Sequence, residues 1–153
     1  MKILSLFSGA GGLDRGFEAA GFETIWANDC DKDVWETFAK NFPNTYLDKR
    51  SIIDIPSSEI PDCIGIIGGP PCQSWSEAGA LRGINDRRGQ LFFEFIRVLR
   101  DKQPLFFLAE NVSGMLSKRH TQAFNNIKYL FAQSGYQLSV QLLNAADYLV
   151  PQD

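Results

Sequence analysis

Short apolar runs in this chain empty directly into glycines or polar side chains, and stretches of helical spacing separate them. Lys2 to Phe7 runs into Ser8-Gly9, Thr24 to Asn28 into Asp29, Ile64 to Ile67 into Gly68-Gly69, and Leu105 to Ala109 into Glu110-Asn111. Continuous apolar runs of this length suit strands buried on both faces, and their alternation with helices implies a parallel sheet covered on each side. The helices are expected at Leu13 to Ala20 before Gly21, Lys32 to Asn41 before Pro43, Gln90 to Arg100, and Gln122 to Ser134 before Gly135. Asp29 or Asp31 can cap the second of these. Tyr46 to Ile53 reads as a further strand, Pro56 to Pro61 as a loop with a helical turn, and Gln137 to Asn144 as a last strand. The fold class is α/β, with a doubly wound, mostly parallel sheet and ligands expected outside the carboxyl ends of its strands.

The 153 residues make one domain's worth of chain, read as a single unit over 1–153. An apolar share of 44% and a charged share of 22% are ordinary for a globular protein, while 12 Phe imply a thick aromatic core or interface. No apolar stretch reaches membrane-spanning length, and Met1-Lys2-Ile3 opens a strand pattern rather than a signal peptide. Cys30, Cys63 and Cys72 show neither metal-ligand nor redox-pair spacing, which points to free thiols in a reducing cytoplasm and no metal. A net charge of −3 argues weakly against nucleic acid, because a local basic loop can act within an acidic chain. Arg82, Arg87 and Arg88 lie in one such glycine-containing segment.

Three stretches carry candidate chemistry. In Phe7-Ser8-Gly9-Ala10-Gly11-Gly12-Leu13, glycines let a ligand approach backbone N–H groups at a helix start. Asp14 stands where the dinucleotide fingerprint has its third glycine, which disfavours a nicotinamide-dependent oxidoreductase. Asp29 ends the second strand where a carboxylate can hold ribose hydroxyls. A glycine loop without lysine suits a nucleoside cofactor lacking phosphates, of which S-adenosylmethionine is the commonest. In Gly68-Gly69-Pro70-Pro71-Cys72, two prolines stiffen the turn and present a cysteine. Glu110 leaves a buried strand, where desolvation is expected to raise its pKa and let it share a proton near neutrality.

Together Phe7-Ser8-Gly9-Ala10-Gly11-Gly12-Leu13, Gly69-Pro70-Pro71-Cys72-Gln73-Ser74 and Glu110-Asn111-Val112 resemble, in order, the core motifs of DNA (cytosine-5) methyltransferases. Arg88-Gly89-Gln90-Leu91-Phe92 and Leu143-Asn144-Ala145-Ala146-Asp147-Tyr148 extend the resemblance over essentially the whole chain. Ile66 to Glu77 is especially similar to bacterial restriction-modification enzymes of the HaeIII methyltransferase type, which act on GGCC. The resemblance implies a Rossmann-like, class I S-adenosylmethionine-dependent methyltransferase in a bacterial cytoplasm, associated with the nucleoid. Cys72 would add to C6 of a cytosine flipped out of duplex DNA, with Glu110 at N3, and S-adenosyl-L-homocysteine would be the product. Phe7, Ser8, Gly9, Ala10, Gly11, Gly12 and Leu13 would line the cofactor site with Asp29 at the ribose. Gly69, Pro71 and Leu91 would also contact the cofactor, and Trp26 or Ile52 would flank the adenine. Gln73, Ser74, Ser76, Arg82, Arg87 and Arg88 would meet DNA.

Two departures stand out. The family usually places an aspartate at the adenine amino group, where this chain has Ser51, a weaker neutral acceptor. An Arg-x-Arg strand, a target-recognition domain and a closing helix are also missing before Asp153. The expectation is an N-terminal catalytic part that works poorly alone and needs a complementing C-terminal polypeptide. A tRNA cytosine-5 methyltransferase, which shares these motifs, and an inactive remnant are the competing readings.

Overall fold

The computed structural model describes residues 1–71 and 87–150, and for residues 87–89 and 119 the backbone alone. Five strands form one sheet in the order β3-β2-β1-β4-β5. They are β1 (Lys2–Leu6), β2 (Glu23–Asn28), β3 (Tyr46–Asp48), β4 (Gly65–Gly68) and β5 (Phe106–Ala109). Every neighbouring pair is parallel. The helices are α1 (Gly12–Ala19), α2 (Lys32–Asn41), α3 (Arg87–Lys102) and α4 (Thr121–Gln133). The chain winds outward from β1 to β3, then crosses back to place β4 on the other flank of β1. That reversal puts a topological switch point between β1 and β4, where open α/β sheets take their ligands.

Strand register sorts the side chains onto two faces. Leu4 pairs with Trp26 and with Ile66, and Ile66 with Phe107, so these share one face. That face meets Phe92, Phe95, Val98 and Leu99 of α3 and Ile127 and Phe131 of α4 in one apolar cluster. The buried positions 92, 95, 96 and 99 follow helical spacing, which is why α3 lies flat on the sheet. On the opposite face, Ala27 packs with Phe38 and Phe42 from the α2 segment. Further along, Phe106 stacks on Phe17 of α1 with ring centroids 6.3 Å apart. Gly65 makes room for that ring, since a Cβ there would lie 2.3 Å from Phe106 Cζ.

Three expectations are corrected. The third strand stops at Asp48 instead of reaching Ile53. Asp48 Oδ1 accepts from the Arg50 N–H at 3.1 Å, a local turn that ends the strand. Ser51 then caps a 3₁₀ turn over Ile52–Asp54 that drops Ile52 and Ile55 into the core. Gln137 to Asn144 does not form a strand. Tyr136 and Leu138 pack on the core, but Val140, Leu142 and Leu143 are exposed, and no strand among the described residues pairs with them. Glu110 is exposed rather than desolvated, because burial fades along β5 from Phe106 to Ala109.

Candidate active site at the switch point

Leu6 and Gly68 are register partners at the ends of β1 and β4, so the two loops that follow leave the sheet side by side. The approach is tight, for a Cβ on Gly68 would lie 2.2 Å from the Leu6 carbonyl oxygen. After β1 the backbone turns through positive φ at Phe7, Gly9 and Gly11 (54°, 54° and 90°). Only Gly11 is boxed in, against the Phe42 ring; around Gly9 and Gly12 the Cβ positions are open. The Ser8 N–H donates to the Asn28 carbonyl at 3.1 Å, and the Gly9 N–H to Asp29 Oδ2 at 2.8 Å. Gly11 then caps α1 without any side-chain hydrogen bond.

Asp29 therefore belongs to the loop rather than to a helix cap. Asp31 caps α2, accepting from the Asp33 N–H at 3.0 Å, while Asp29 Oδ1 accepts from the Asp31 N–H at 2.9 Å. An ionised carboxylate offers about four acceptor directions. With one backbone donor on each oxygen, Asp29 keeps capacity for ligand hydroxyls. The exposed Cys30 follows it.

Across the switch point, the Glu110 N–H donates to the Gly68 carbonyl at 2.9 Å. The Asn111 amide donates to the Pro70 carbonyl at 2.8 Å. Glu110 Oε2 would lie 3.2 Å from a Cβ added at Gly69. The Glu-Asn segment is thus docked onto the Gly-Pro-Pro turn, with Pro70 buried and Pro71 half-buried. Cys72 follows Pro71 directly in sequence; Cys72, Gln73, Ser74, Ser76 and Arg82 lie outside the described residues, as do the side chains of Arg87 and Arg88. Cys63 differs from a poised nucleophile: burial pushes its thiol up to about 11.

The expected cofactor residues are only partly gathered. Phe7 is half-buried against the core, Ala10 and Gly12 are exposed, and Leu13 is half-buried on α1. Ser51 sits near the strand ends, tied there through its neighbours. Trp26 and Ile52 are 4% and 1% exposed, sealed in the core. Leu91 packs half-buried on that same core. Asn28 was not legible as a site residue. Its buried amide donates to the Asp48 and Arg50 carbonyls at 3.0 and 2.8 Å, and its own carbonyl holds Ser8. A polar residue closing an apolar strand was the only sequence signal it gave.

Ser8 Oγ, like Asp14 Oδ1, is buried without a hydrogen-bond partner among the described residues. Native structures rarely leave such an atom unpaired. Among the described residues no group of three or more His, Cys, Asp or Glu is placed to hold a metal, and no helix is long and apolar enough to cross a membrane.

Residues 1–153 match the C-5 cytosine-specific DNA methylase profile from end to end. The chain belongs to that family. It is 63% identical over 153 residues to the type II methyltransferase M.FnuDI of Fusobacterium nucleatum, covering all of this chain and 44% of the relative. To M.NgoPII of Neisseria gonorrhoeae it is 59% identical, covering 45% of that protein. This C-5 methylase chain thus spans less than half the length of these relatives. Among solved structures, a DNA modification methyltransferase from an Escherichia coli prophage superposes with a TM-score of 0.70 at 33% identity, over 87% of this chain and 38% of that one. A DNMT2 mutant from Spodoptera frugiperda gives 0.66 at 29% identity, over 87% and 40%.

Proposed function

We propose that this chain is the catalytic and cofactor-binding part of a DNA (cytosine-5-)-methyltransferase of a restriction-modification system. The observation that carries the reading is the docking of Glu110-Asn111 onto the Gly69-Pro70-Pro71 turn beside the Ser8–Gly12 loop, at one switch point. The residues fit S-adenosyl-L-methionine. Ser8 Oγ lacks a partner among the described residues, Gly9 and Gly12 leave open space, and Asp29 keeps acceptor capacity for a ribose. A glycine loop without lysine suits a nucleoside lacking phosphates. When bound, that cofactor supplies an electrophilic methyl group.

The chain's own residues supply the activation. C5 of cytosine is a weak nucleophile, so the Cys72 thiolate adds to C6 while the Glu110 carboxyl shares a proton with N3, giving C5 enamine character. After methyl transfer, loss of the C5 proton and departure of Cys72 restore the aromatic ring. Glu110 is exposed in the free chain, so its burial accompanies the arrival of the base. The flipped cytosine comes from duplex DNA, with Gln73, Ser74, Ser76, Arg82, Arg87 and Arg88 meeting the strand. Ser51 accepts from the adenine amino group, and Gly69, Pro71 and Leu91 flank the cofactor. GGCC is the proposed target, on the local similarity of Ile66 to Glu77. A C-terminal polypeptide completes target recognition, and the nucleoid is the place of action.

Covalent trapping tests this. A duplex carrying 5-fluorocytosine in GGCC, with cofactor and the full-length protein, should give a stable adduct, and Cys72→Ser should give none. Adduct formation by Cys72→Ser would refute the nucleophile assignment. Methylation of tRNA instead of duplex DNA would favour the RNA reading.

A further inference from the structure

Ser51 lies in a segment that belongs to no strand, yet the carbonyls of the residues on either side of it, Arg50 and Ile52, are fixed from a distance. On one side the Arg50 carbonyl accepts from the Asn28 amide at 2.8 Å. On the other, the Ile52 carbonyl accepts from Arg97 Nη2 at 3.1 Å. The same guanidinium donates to the Ile55 carbonyl at 3.0 Å and to Ser57 Oγ, and Glu94 holds its Nε at 2.6 Å. Arg97 stands on α3 and Asn28 at the end of β2, so the segment is gripped from two elements. Ser51 Oγ itself accepts only weakly, from the Ile53 N–H at 3.4 Å.

We infer that Asn28 and Arg97 are positioning residues that clamp Ser51 from its two sides, and so set how the site discriminates the 6-amino edge of an adenine. The inference rests on the reading of Ser51 as the acceptor at that edge. A neutral hydroxyl makes a weaker hydrogen bond than a carboxylate. Its contribution therefore depends on being held in place, because a loose acceptor loses the bond to water. A planar guanidinium is suited to the task, since its fork reaches several carbonyls at once and a lysine cannot.

The test is a ratio of two affinities, measured by calorimetry on the full-length protein. The probes are S-adenosylhomocysteine and its purine-riboside analogue, which lacks the 6-amino group. The wild-type protein should prefer the amino compound by about threefold to tenfold, the range of one neutral hydrogen bond. Arg97→Met, Asn28→Ala and Ser51→Ala should each bring the ratio close to one, and Arg97→Lys should leave it part-way. A merely structural role would weaken both probes together and leave the ratio intact, and that result would overturn the clamp. Partial unfolding of a variant does not disturb the ratio, since both titrations draw on the same folded fraction. If the wild-type protein showed no preference, the assignment of Ser51 would fall, and if it bound neither probe, the cofactor site itself would.

Discussion

The two flanks of the switch point are built differently. On the β1-β2-β3 flank the loops are laced together. Ser8 is held by the Asn28 carbonyl, Gly9 by Asp29, the Asp29 N–H by the Asp48 carbonyl, and Asp48 and Arg50 by Asn28. On the β4-β5 flank, backbone and amide bonds join Glu110 and Asn111 to the Gly-Pro turn, while Leu108, Ala109, Glu110 and Val112 face outward. One flank is organised before any ligand arrives. The other leaves the Glu110 side chain exposed. This division suits a reaction in which a bound nucleoside cofactor must stay still while a nucleotide swings in.

The contrast is sharpest in what Glu110→Gln should do. Methyl transfer should fall by about 10²–10⁴-fold in single-turnover rates, the scale of a lost proton donor. Cofactor affinity and the unfolding midpoint should stay put, and an equal loss of either would break the division. Gly11→Ala is the mirror experiment. A Cβ there would lie 2.2 Å from Phe42 Cε2, at a φ of 90°. Clash and backbone strain together should cost about 2–4 kcal/mol in urea unfolding and weaken cofactor binding with it.

A subtler effect belongs to Asp14, fully buried on α1 and bound by the Ser5 hydroxyl at 3.0 Å. Burial raises its pKa above 3.8, against the hydrogen bonds that lower it. The folded state thus holds this proton more tightly than the unfolded chain. Its favourable contribution is present below the unfolded pKa and is lost as pH rises through the folded value. Asp14→Asn should therefore match the wild type near pH 3 and gain on it as pH rises above about 4. A stability profile parallel to the wild type's would contradict this. Val112→Thr, on the open flank, should change stability by no more than about 0.5 kcal/mol, read from the same unfolding curves.

The legible parts of the sequence were those governed by neighbours along the chain. β1, β2, β4 and the four helices announced themselves through apolar runs, caps and glycines such as Gly21 and Gly135, both at positive φ. The glycine loop, Asp29 and Glu110 were legible for the same reason, as strand ends. What failed depended on side chains that turn the backbone out of a strand, or on distant partners. Ile52 and Ile53 look like strand residues until Asp48 and Ser51 turn the chain beneath the sheet. Leu138, Val140 and Leu142 alternate as a strand would, but a strand needs a neighbour. Asn28 and Arg97 act on carbonyls 20 to 45 positions away, and no local pattern marks a residue whose partner is someone else's backbone.

The central place of β1 also has a consequence for how the chain is made. Ile3 pairs with Thr24 on one side and with Gly65 on the other. The first neighbour is synthesised soon after β1, whereas the second follows only once α2, β3 and the 3₁₀ turns have been translated. At roughly 5–20 residues per second, β1 leaves the ribosome several seconds before its second neighbour. For that interval an apolar strand keeps an open hydrogen-bonding edge, and the seam that later forms the switch point is an adhesive one in the newborn chain.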